Sequence, residues 1–416
     1  MSLYLMALGQ GAHKPCILAF GADQFDAQHP KELRSRSSFF NWWYFSICAG
    51  PLAALLVLNY IQDNISWGIG FGIPCISMVI ALTIFMLGTK SYRYNSITVE
   101  EKCALSRVTQ VLIKAAATNW RTIPNEAQQD IVPHDDLPPS DQQFKFLNRA
   151  LLSGEYEQVC STKEVEEAKA LVKLIPIWAT CLAFAIVLAQ PSTLFTKQGI
   201  TMDRSIGSSF EVPAASIQYI IGLTIILLIP VYDRVFVPLS RVITGKPCGI
   251  TQVERIGTGM FICSVSMVTA ALVERQRLKT ASAYGLGMGM GKIGRMSFWW
   301  LIPQCILYGM ADVFALIGLQ ELFYDKVPSG LKSVGLSIFL SILGMGNFLS
   351  SLLIYMIQRV TSSEGGEGGW FSDNTNGAHL DYFYWLLAGL NAIGFLAFLY
   401  SAKKTLNSSS NPGDIV

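Results

Sequence analysis

The chain has 416 residues, of which 14% are charged and 51% are hydrophobic, and its mean hydropathy is +0.39. Typical soluble domains carry about 25% charged residues, so the composition excludes a soluble globular protein and predicts one that crosses a membrane several times. A formal net charge of +2, with no basic run interleaved with aromatic residues, gives no indication of nucleic-acid binding. The nine cysteines form no CxxC pair and the four histidines are scattered, so neither a metal site nor a cofactor is predicted.

Nine apolar runs are each close to the 20 residues that a helix needs to cross a bilayer. The chain begins directly at the first of them, without the basic leader of a signal peptide, and we expect that its beginning is missing. A polar segment, residues 89–173, separates the first three runs from the last six. We therefore predict an all-α polytopic membrane protein with spans at residues 2–22, 39–61, 67–88, 174–195, 212–232, 256–273, 297–320, 333–357 and 382–402.

Lysine and arginine predict the orientation, because the cytosolic loops of membrane proteins carry an excess of these residues. If the first span enters from outside and the spans alternate, 22 of the 31 basic residues lie on the cytosolic side and eight lie outside. The remaining one, Lys14, lies within the first span. This arrangement predicts an external N-terminus and a cytosolic C-terminus.

Two spans carry an ionisable residue in mid-span, Lys14 in the first and Asp312 in the seventh. The other seven contain no Asp, Glu, Lys or Arg between their ends. A charge at the bilayer centre costs roughly 2.5–3.5 kcal/mol, so a residue of this kind is a candidate for function. The alternative is an ion pair that only stabilises the structure.

The first span ends in the string GQGAHKPCILAFGADQFD, residues 9–26, and the second opens with FFNWWYF, residues 39–45. The first string resembles the fourth-helix signature of the proton-coupled oligopeptide transporters, in the form found in the plant nitrate/peptide transporter group. The second resembles the signature that follows it in that family. The resemblance implies the major facilitator fold, in which each half has six spans, so about three spans would be missing from the first half.

Under this resemblance the chain divides into a partial N-terminal transmembrane bundle at 1–88, a cytosolic interdomain loop at 89–173, a C-terminal six-helix bundle at 174–402 and a cytosolic tail at 403–416. In the family, the lysine at the position of Lys14 pairs with carboxylates of an E-x-x-E-R motif on the first helix. That motif is not part of this sequence.

The long loop is predicted to hold amphipathic helices rather than a domain, because its apolar residues recur at helical spacing. Ser161-Thr162-Lys163-Glu164 reads as a capping box that begins the helix leading into the fourth span. The residues that mark the two earlier helices are Ala104, Val108, Val111, Leu112 and Ala115 for one, and Phe144, Leu147 and Leu151 for the other.

Charged residues follow two of the spans at the predicted cytosolic side: Asp23, Asp26 and Arg34 follow the first, and Asp233 and Arg234 follow the fifth. The second group resembles the loop motif of the major facilitators, repeated in the second half. One interpretation is helix termination together with the positive-inside bias. The other is a cytosolic gate whose ion pairs form and break during transport.

Four positions bear on the substrate through the resemblance. Leu188 stands where the best-known nitrate carriers of the group have a histidine, and leucine cannot donate a hydrogen bond to an anion. Asp312 stands where peptide carriers have a glutamate that meets the substrate's ammonium group, and Cys48 stands where they have an asparagine. Gln190 is a polar group that faces either the cavity or, more often for such residues, a neighbouring helix. Both substrate signatures are altered, so the substrate stays open.

The sequence and the resemblance together predict proton-coupled secondary transport, by alternating access, of nitrate, a di- or tripeptide or a related organic solute. Lys14 and Asp312 are expected near the midplane on the cavity walls, with Lys14 as a proton-linked switch. No nucleotide-binding motif and no catalytic group indicate an enzyme. The alternative is a non-transporting membrane protein that is inert or regulates full-length relatives by association. Either protein is expected to contact the lipid bilayer of the plasma membrane or the vacuolar membrane.

Overall fold

In the computed structural model a helix lies at each of the nine predicted spans, which confirms the all-α membrane architecture. The first half contains α1 (Ser2–Ala22), α2 (Pro30–Asn64) and α3 (Trp67–Leu87). Proline suits the start of α2, because the N–H of that residue would have no intrahelical partner. The structure describes residues 2–26, 29–94, 104–117, 144, 146–147, 160–206, 210–245, 249–283, 296–361, 370–371 and 379–407.

The rest of the chain supplies one loop helix and the helices of the second half. They are α4 (Ala104–Ala117), α5 (Thr162–Leu188), α6 (Thr196–Ile200), α7 (Ile217–Val231), α8 (Val237–Thr244), α9 (Gln252–Ala283), α10 (Ile302–Asp325), α11 (Lys332–Thr361) and α12 (Leu380–Asn407). Two π-helical turns join neighbouring helices, Pro191–Phe195 between α5 and α6 and Tyr232–Phe236 between α7 and α8. Such turns are rare and frequently occur at functional sites.

Seven helices of the described chain, with their continuations, are long and apolar enough to cross a membrane. The other two at predicted spans, α1 and α2, are 21 and 35 residues long. By length, each of these two also exceeds what a bilayer core requires. The protein is therefore an integral membrane protein with several spans.

The second half is a bundle in which α9 and α10 lie side by side and α12 packs on α9. Small residues allow the helices to approach closely: a side chain at Gly259 would overlap the backbone of Ala315, and one at Gly346 would overlap Ala185. In the most apolar stretch of α10 72% of the residues are buried, against 6% for α3. Helix α10 is therefore central to the bundle, and α3 lies at its periphery.

The two halves meet along α2, which packs against α7 and α10, and along α1, which packs against α11. In α1 the buried residues described lie in its second half, at Pro15, Leu18, Ala19 and Ala22, whereas residues 7–14 are exposed. The contact between the halves is thus concentrated at one end of α1.

Helix α4 packs against α5. Its predicted apolar face is buried at Val108 and Val111, whereas Leu112 is exposed. The Arg107 guanidinium forms a buried ion pair with the Glu167 carboxylate at 3.1 Å. Helix α4 is therefore docked on the second half by both apolar packing and charge.

At the end of the long loop, the predicted capping box is present. Ser161 and Glu164 form the expected capping box at the start of α5, with the Ser161 N–H donating to the Glu164 carboxylate at 2.9 Å. Leu147 is buried, and Phe144 has a positive φ of 65°. Leu151 lies outside the described residues.

The connection between α6 and α7 contains a short antiparallel pair of strands. Its strands are β1 (Ser205–Ile206) and β2 (Phe210–Glu211), with Ser205 paired to Glu211 and Ile206 to Phe210. The Arg204 guanidinium donates to the Glu211 carboxylate at 2.8 Å and fixes the hairpin ends.

Candidate functional site

The loops of the bundle divide between two faces. The inner face carries the turns between α1 and α2, between α8 and α9 and between α10 and α11, and the basic residues predict that it is cytosolic. The outer face carries the C-terminal ends of α2, α6 and α9 and the N-terminal ends of α3, α7 and α10. Toward the outer face the halves leave a cavity between them, whereas toward the inner face they are joined by polar contacts.

A cavity of about 320 Å³ lies between the halves toward the outer face. Its walls come from α2, α7, α10 and the end of α5 with its π-helical turn. The predicted site residues Cys48 and Leu188 both line this cavity. The other lining side chains are aliphatic, apart from Ser192, Gln218, Tyr219 and Tyr308.

Asp312 lies in α10, one turn along the helix from the cavity residue Tyr308. Its side chain is buried, and its Oδ1 atom has no hydrogen-bond partner among the described residues. The carboxylate is close enough to Tyr44, Cys48 and Tyr308 to interact electrostatically with them. A buried acidic group without a full set of partners is costly unless it binds a proton or a cation.

Toward the inner face the halves are joined by polar contacts centred on Asp233. This residue lies in the π-helical turn that follows α7, and its carboxylate accepts three hydrogen bonds from α2. The donors are Asn41 Nδ2 at 2.7 Å, Ser38 Oγ at 2.8 Å and Trp42 Nε1 at 3.1 Å. The neighbouring guanidinium of Arg234 lies over the Trp42 ring at 5.8 Å. The predicted gate residues Asp233 and Arg234 therefore both contact the first half.

The side chain of Asn41 also contacts Arg255 of α9. Arg255 Nη2 donates to Asn41 Oδ1 at 2.7 Å, and both residues are buried. Within the second half, Arg255 stacks on the Tyr232 ring at 4.4 Å and lies 3.6 Å from the Glu321 carboxylate. Asn41 thus joins an acidic and a basic residue of the other half through one amide group.

A second group of inner-face contacts surrounds the turn between α10 and α11. Arg36 of α2 forms an ion pair with Asp325 at 2.6 Å, and its guanidinium lies over the Tyr324 ring at 5.2 Å. The Tyr324 hydroxyl donates a hydrogen bond to the Asp23 carboxylate. The Lys332 ammonium donates to the Tyr324 carbonyl at 2.7 Å. Asp23 is therefore a third predicted gate residue that bridges the halves.

The remaining gate predictions, Asp26 and Arg34, have other surroundings. The Asp26 N–H donates to the Glu32 carboxylate at 2.7 Å, within the first half. Arg93 also donates to Glu32, at 2.8 Å, and this hydrogen bond lowers the pKa of Glu32 below its usual value. Arg34 is exposed and makes no ion pair in the described part of the chain. Within this basic segment, the cation that bridges the halves is Arg36, two residues further on.

Two other predicted residues are also separated from the cavity. Gln190 is buried and donates to Ser350 Oγ at 3.0 Å, so it faces a neighbouring helix, α11, which was the favoured alternative. Lys14 is exposed on α1, and neither Lys14 nor Gln190 is among the residues that line the cavity. The structure does not bring Lys14 and Asp312 together, and the proton-linked role of Lys14 stays a prediction.

The sequence interpretation assigned no role to Asn41, Arg255 or Asp325, and from the basic residues before the second span it singled out Arg34 rather than Arg36. Asn41 lies inside the FFNWWYF string, whose three aromatic pairs drew attention to apolar packing rather than to its single amide. Arg36, Arg255 and Asp325 lie at the ends of spans, where charged residues are ordinary. No pattern of one sequence separates such residues from other charges at a membrane surface.

This arrangement is closed at the inner face and holds a cavity toward the outer face. No group of three or more His, Cys, Asp or Glu side chains in the described ranges could hold a metal ion. The inner contacts are hydrogen bonds and ion pairs, which water can replace when they separate. A bundle of this type, with a cavity between two halves and a polar closure on one side, defines a multi-pass membrane transporter.

The sequence profile PTR2, described as the POT family, matches residues 1–371. The chain belongs to the POT family, which is a family of transporters rather than of enzymes.

Among curated proteins the chain is similar to two from Arabidopsis thaliana. Protein NRT1/ PTR FAMILY 5.10 is 52% identical over 407 residues, which cover 97% of this chain and 72% of that protein. Protein NRT1/ PTR FAMILY 5.13 is 51% identical over the same length, with the same coverage. The resemblance to the plant group that residues 9–26 and 39–45 suggested is thereby confirmed.

Solved structures support the fold. An auto-inhibited POT family peptide transporter matches with a TM-score of 0.58 at 21% identity, covering 96% of this chain and 76% of that one. The POT family transporter PepTSo also matches with a TM-score of 0.58, at 18% identity, covering 97% of this chain and 78% of that one. The fold is that of the POT transporters, as the major facilitator prediction required.

Proposed function

We propose that this chain is a proton-coupled secondary transporter that moves a small solute by alternating access. The solute binds in the cavity between α2, α5, α7 and α10, and the polar contacts of the inner face separate to release it. Asp312 carries a proton or meets a cationic group of the solute. Lys14 is the second ionisable residue of the pathway, as its place in mid-span suggests.

The observation that carries the proposal is the position of Asp312. Asp312 is not itself among the residues that line the cavity, but it is buried one turn along α10 from Tyr308, which does line it, and its Oδ1 atom has no hydrogen-bond partner among the described residues. Ionisable residues inside a membrane protein mark substrate and proton pathways more often than they serve packing. A protonated Asp312 is neutral, which removes the cost of burying the charge when the cavity is closed.

The lining of the cavity supports an organic solute with an apolar part. The residues that line it carry no formal charge, and its four polar side chains can orient a solute by hydrogen bonds. A nitrate ion would need a cationic partner, which this set of lining residues does not supply. Among the predicted substrates, we therefore favour a di- or tripeptide or a related organic solute over nitrate. A substrate panel that includes nitrate tests this preference.

The test is uptake by oocytes that express the chain, at an acidic and a neutral external pH, with peptides, nitrate and organic solutes in parallel. For a confirmed substrate, Asp312→Asn is expected to abolish acid stimulation, because an amide cannot exchange a proton in this range. Lys14→Ala is expected to weaken it. Glu211→Gln removes an acidic residue of the outer hairpin and serves as the matched control.

Surface biotinylation of each variant separates loss of transport from loss of membrane insertion. If Asp312→Asn keeps the acid stimulation of the wild-type chain at equal surface abundance, Asp312 does not couple transport to protons. If no substrate is taken up at either pH, the transport proposal itself is wrong for this chain.

A second candidate function, association with a longer relative or with another copy of the chain, has one observation in its favour. Gln10, His13 and Lys14 are exposed in the part of α1 that does not pack on the second half. Polar groups at membrane depth are normally covered by protein or water. Co-expression with a longer relative tests this function: a change in the relative's uptake that Lys14→Ala removes would support it, and unchanged uptake would exclude it.

A further inference from the structure

The Asn41 side chain links a half-buried carboxylate and a buried guanidinium of the second half to the first half. Its Nδ2 group donates to Asp233 Oδ1 at 2.7 Å, and its Oδ1 accepts from Arg255 Nη2 at 2.7 Å. Asn41 belongs to α2, whereas both partners belong to the second half. Only 1% of Asn41 and 4% of Arg255 is exposed, so water does not replace either hydrogen bond in this conformation.

Arg255 is incompletely paired within its own half. Its Nη1 atom lies 3.6 Å from Glu321, longer than a hydrogen bond, and its Nη2 atom makes a 3.3 Å contact with the Val313 carbonyl. The Nε atom has no hydrogen-bond partner among the described residues. The shortest polar contact of this buried cation is therefore the one that crosses to Asn41.

An asparagine amide suits this position because it donates and accepts at the same time. A carboxylate would accept from Arg255 but would repel Asp233, and an aliphatic side chain would satisfy neither residue. The hydrogen bonds to Asp233 and to Arg255 both depend on the Asn41 side chain. Both therefore break together when α2 moves away from the second half.

We propose that Asn41 is a positioning residue that holds the inner face closed, and that Arg255 moves from Asn41 to Glu321 when this face opens. The inference rests on the proposed alternating access and adds a residue pair to it. In the open conformation Asp233 becomes hydrated, whereas Arg255 remains buried and keeps a charged partner in Glu321. Glu321 also accepts a hydrogen bond from Ser37 of α2 in the closed conformation. Its contact with Arg255 therefore favours the open conformation, and Asn41 favours the closed one.

The test measures the distance between spin labels at Ser35 of α2 and Lys326 after α10, both of which are exposed. The chain is reconstituted in lipid nanodiscs, and the two labels report the separation of the halves at the inner face. Asn41→Leu is expected to raise the ratio of long to short distances at least tenfold, because it removes two hydrogen bonds to charged residues. In a Ser37→Ala background, which removes the hydrogen bond from α2 to Glu321, Glu321→Gln is expected to lower the same ratio, because Arg255 then loses its acceptor in the open conformation.

Asn391→Leu is the matched control. Asn391 is also a buried asparagine with two hydrogen bonds, to the Met260 carbonyl at 2.8 Å and to Ser264 Oγ at 2.9 Å, but both partners lie in its own half. This variant is expected to leave the ratio unchanged. General loosening of the bundle would move all three variants in the same direction.

Opposite shifts for Asn41→Leu and Glu321→Gln, with no shift for Asn391→Leu, support the inference. Equal ratios in Asn41→Leu and the wild-type chain, or shifts of the same sign in both variants, overturn it. These results are independent of solute uptake, so failure of the transport proposal would be seen separately, as absent uptake by the wild-type chain in oocytes.

Discussion

Replacing Asp233 with asparagine tests whether the polar contacts of the inner face hold the two halves together. Asp233 accepts one hydrogen bond on Oδ1 and two on Oδ2, all from α2. Asparagine preserves the size of the side chain but removes the charge and turns one acceptor into a donor. The new NH₂ group would face the Trp42 N–H, which cannot accept a hydrogen bond.

The size of the effect follows from the number of bonds that change. A hydrogen bond to a charged group contributes about 1.5–3 kcal/mol, whereas a neutral one contributes about 0.5–1.5 kcal/mol. Weakening two or three bonds by about 1 kcal/mol each destabilises the closed inner face by about 2–3 kcal/mol. Since 1.4 kcal/mol corresponds to a factor of ten, the open population is expected to rise about 30- to 150-fold.

Hydrogen exchange of the backbone amides measures this population. When reclosing is faster than exchange, the rate for peptides that cover residues 30–45 and 232–244 rises in proportion to the open fraction. Ser38→Ala removes one hydrogen bond to the charged carboxylate and leaves the charge in place, so a rise of at least about tenfold is expected. Peptides from α12 provide the internal control. Unchanged exchange of both inner-face peptides in Asp233→Asn would refute the reasoning that Asp233 closes this face.

Three further predictions concern single contacts. Arg36→Gln removes the 2.6 Å ion pair to Asp325 and is expected to raise hydrogen exchange at the inner face about fivefold to tenfold. Arg34→Gln, two residues earlier, should leave this exchange unchanged. Equal effects of the two variants would contradict the assignment of Arg36 as the bridging cation. Gly346→Ala is expected to destabilise the bundle by about 1–3 kcal/mol, because the new methyl group overlaps α5. Gly344→Ala places its methyl group in open space and should be neutral or stabilising. Thermal unfolding of both variants measures the difference. Glu167→Gln removes the carboxylate facing the arginine of α4, and faster proteolysis before α5 is the expected result.

The fold was accessible from the sequence because hydrophobic length is a strong signal. Each predicted span coincides with a helix, and α1 has the predicted bounds. The helix ends were less predictable: α2 begins nine residues before its apolar run, at Pro30, and the charged turn that follows contributes Arg36. The continuation of α7 through a π-helical turn was also not predicted, because such a turn depends on how neighbouring helices pack and not on a local residue pattern.

The site was accessible in part. Asp312 was identified because a charge in mid-span is expensive, and Cys48 and Leu188 were identified through the family resemblance. Arg34 and Arg36 look alike in sequence, since both lie in the same basic segment before an apolar run. Only the direction of each side chain around α2 distinguishes the exposed residue from the one that reaches Asp325. That direction follows from the helix phase relative to the second half, which a single sequence does not contain.

The chemistry of the inner face explains how a transporter can close firmly and still open. An apolar seam would lose about 25 cal/mol for each Å² exposed to water, with nothing gained in return. Hydrogen-bonded and charged groups behave differently, because water solvates them when they separate and their net contribution is small. Reversing a population from 1:99 to 99:1 requires about 5.5 kcal/mol of differential binding. Two or three contacts of the size argued for Asp233 and Arg36 lie within that range, so binding of a solute and a proton is sufficient to open this closure, whereas a buried apolar seam of similar extent would resist it.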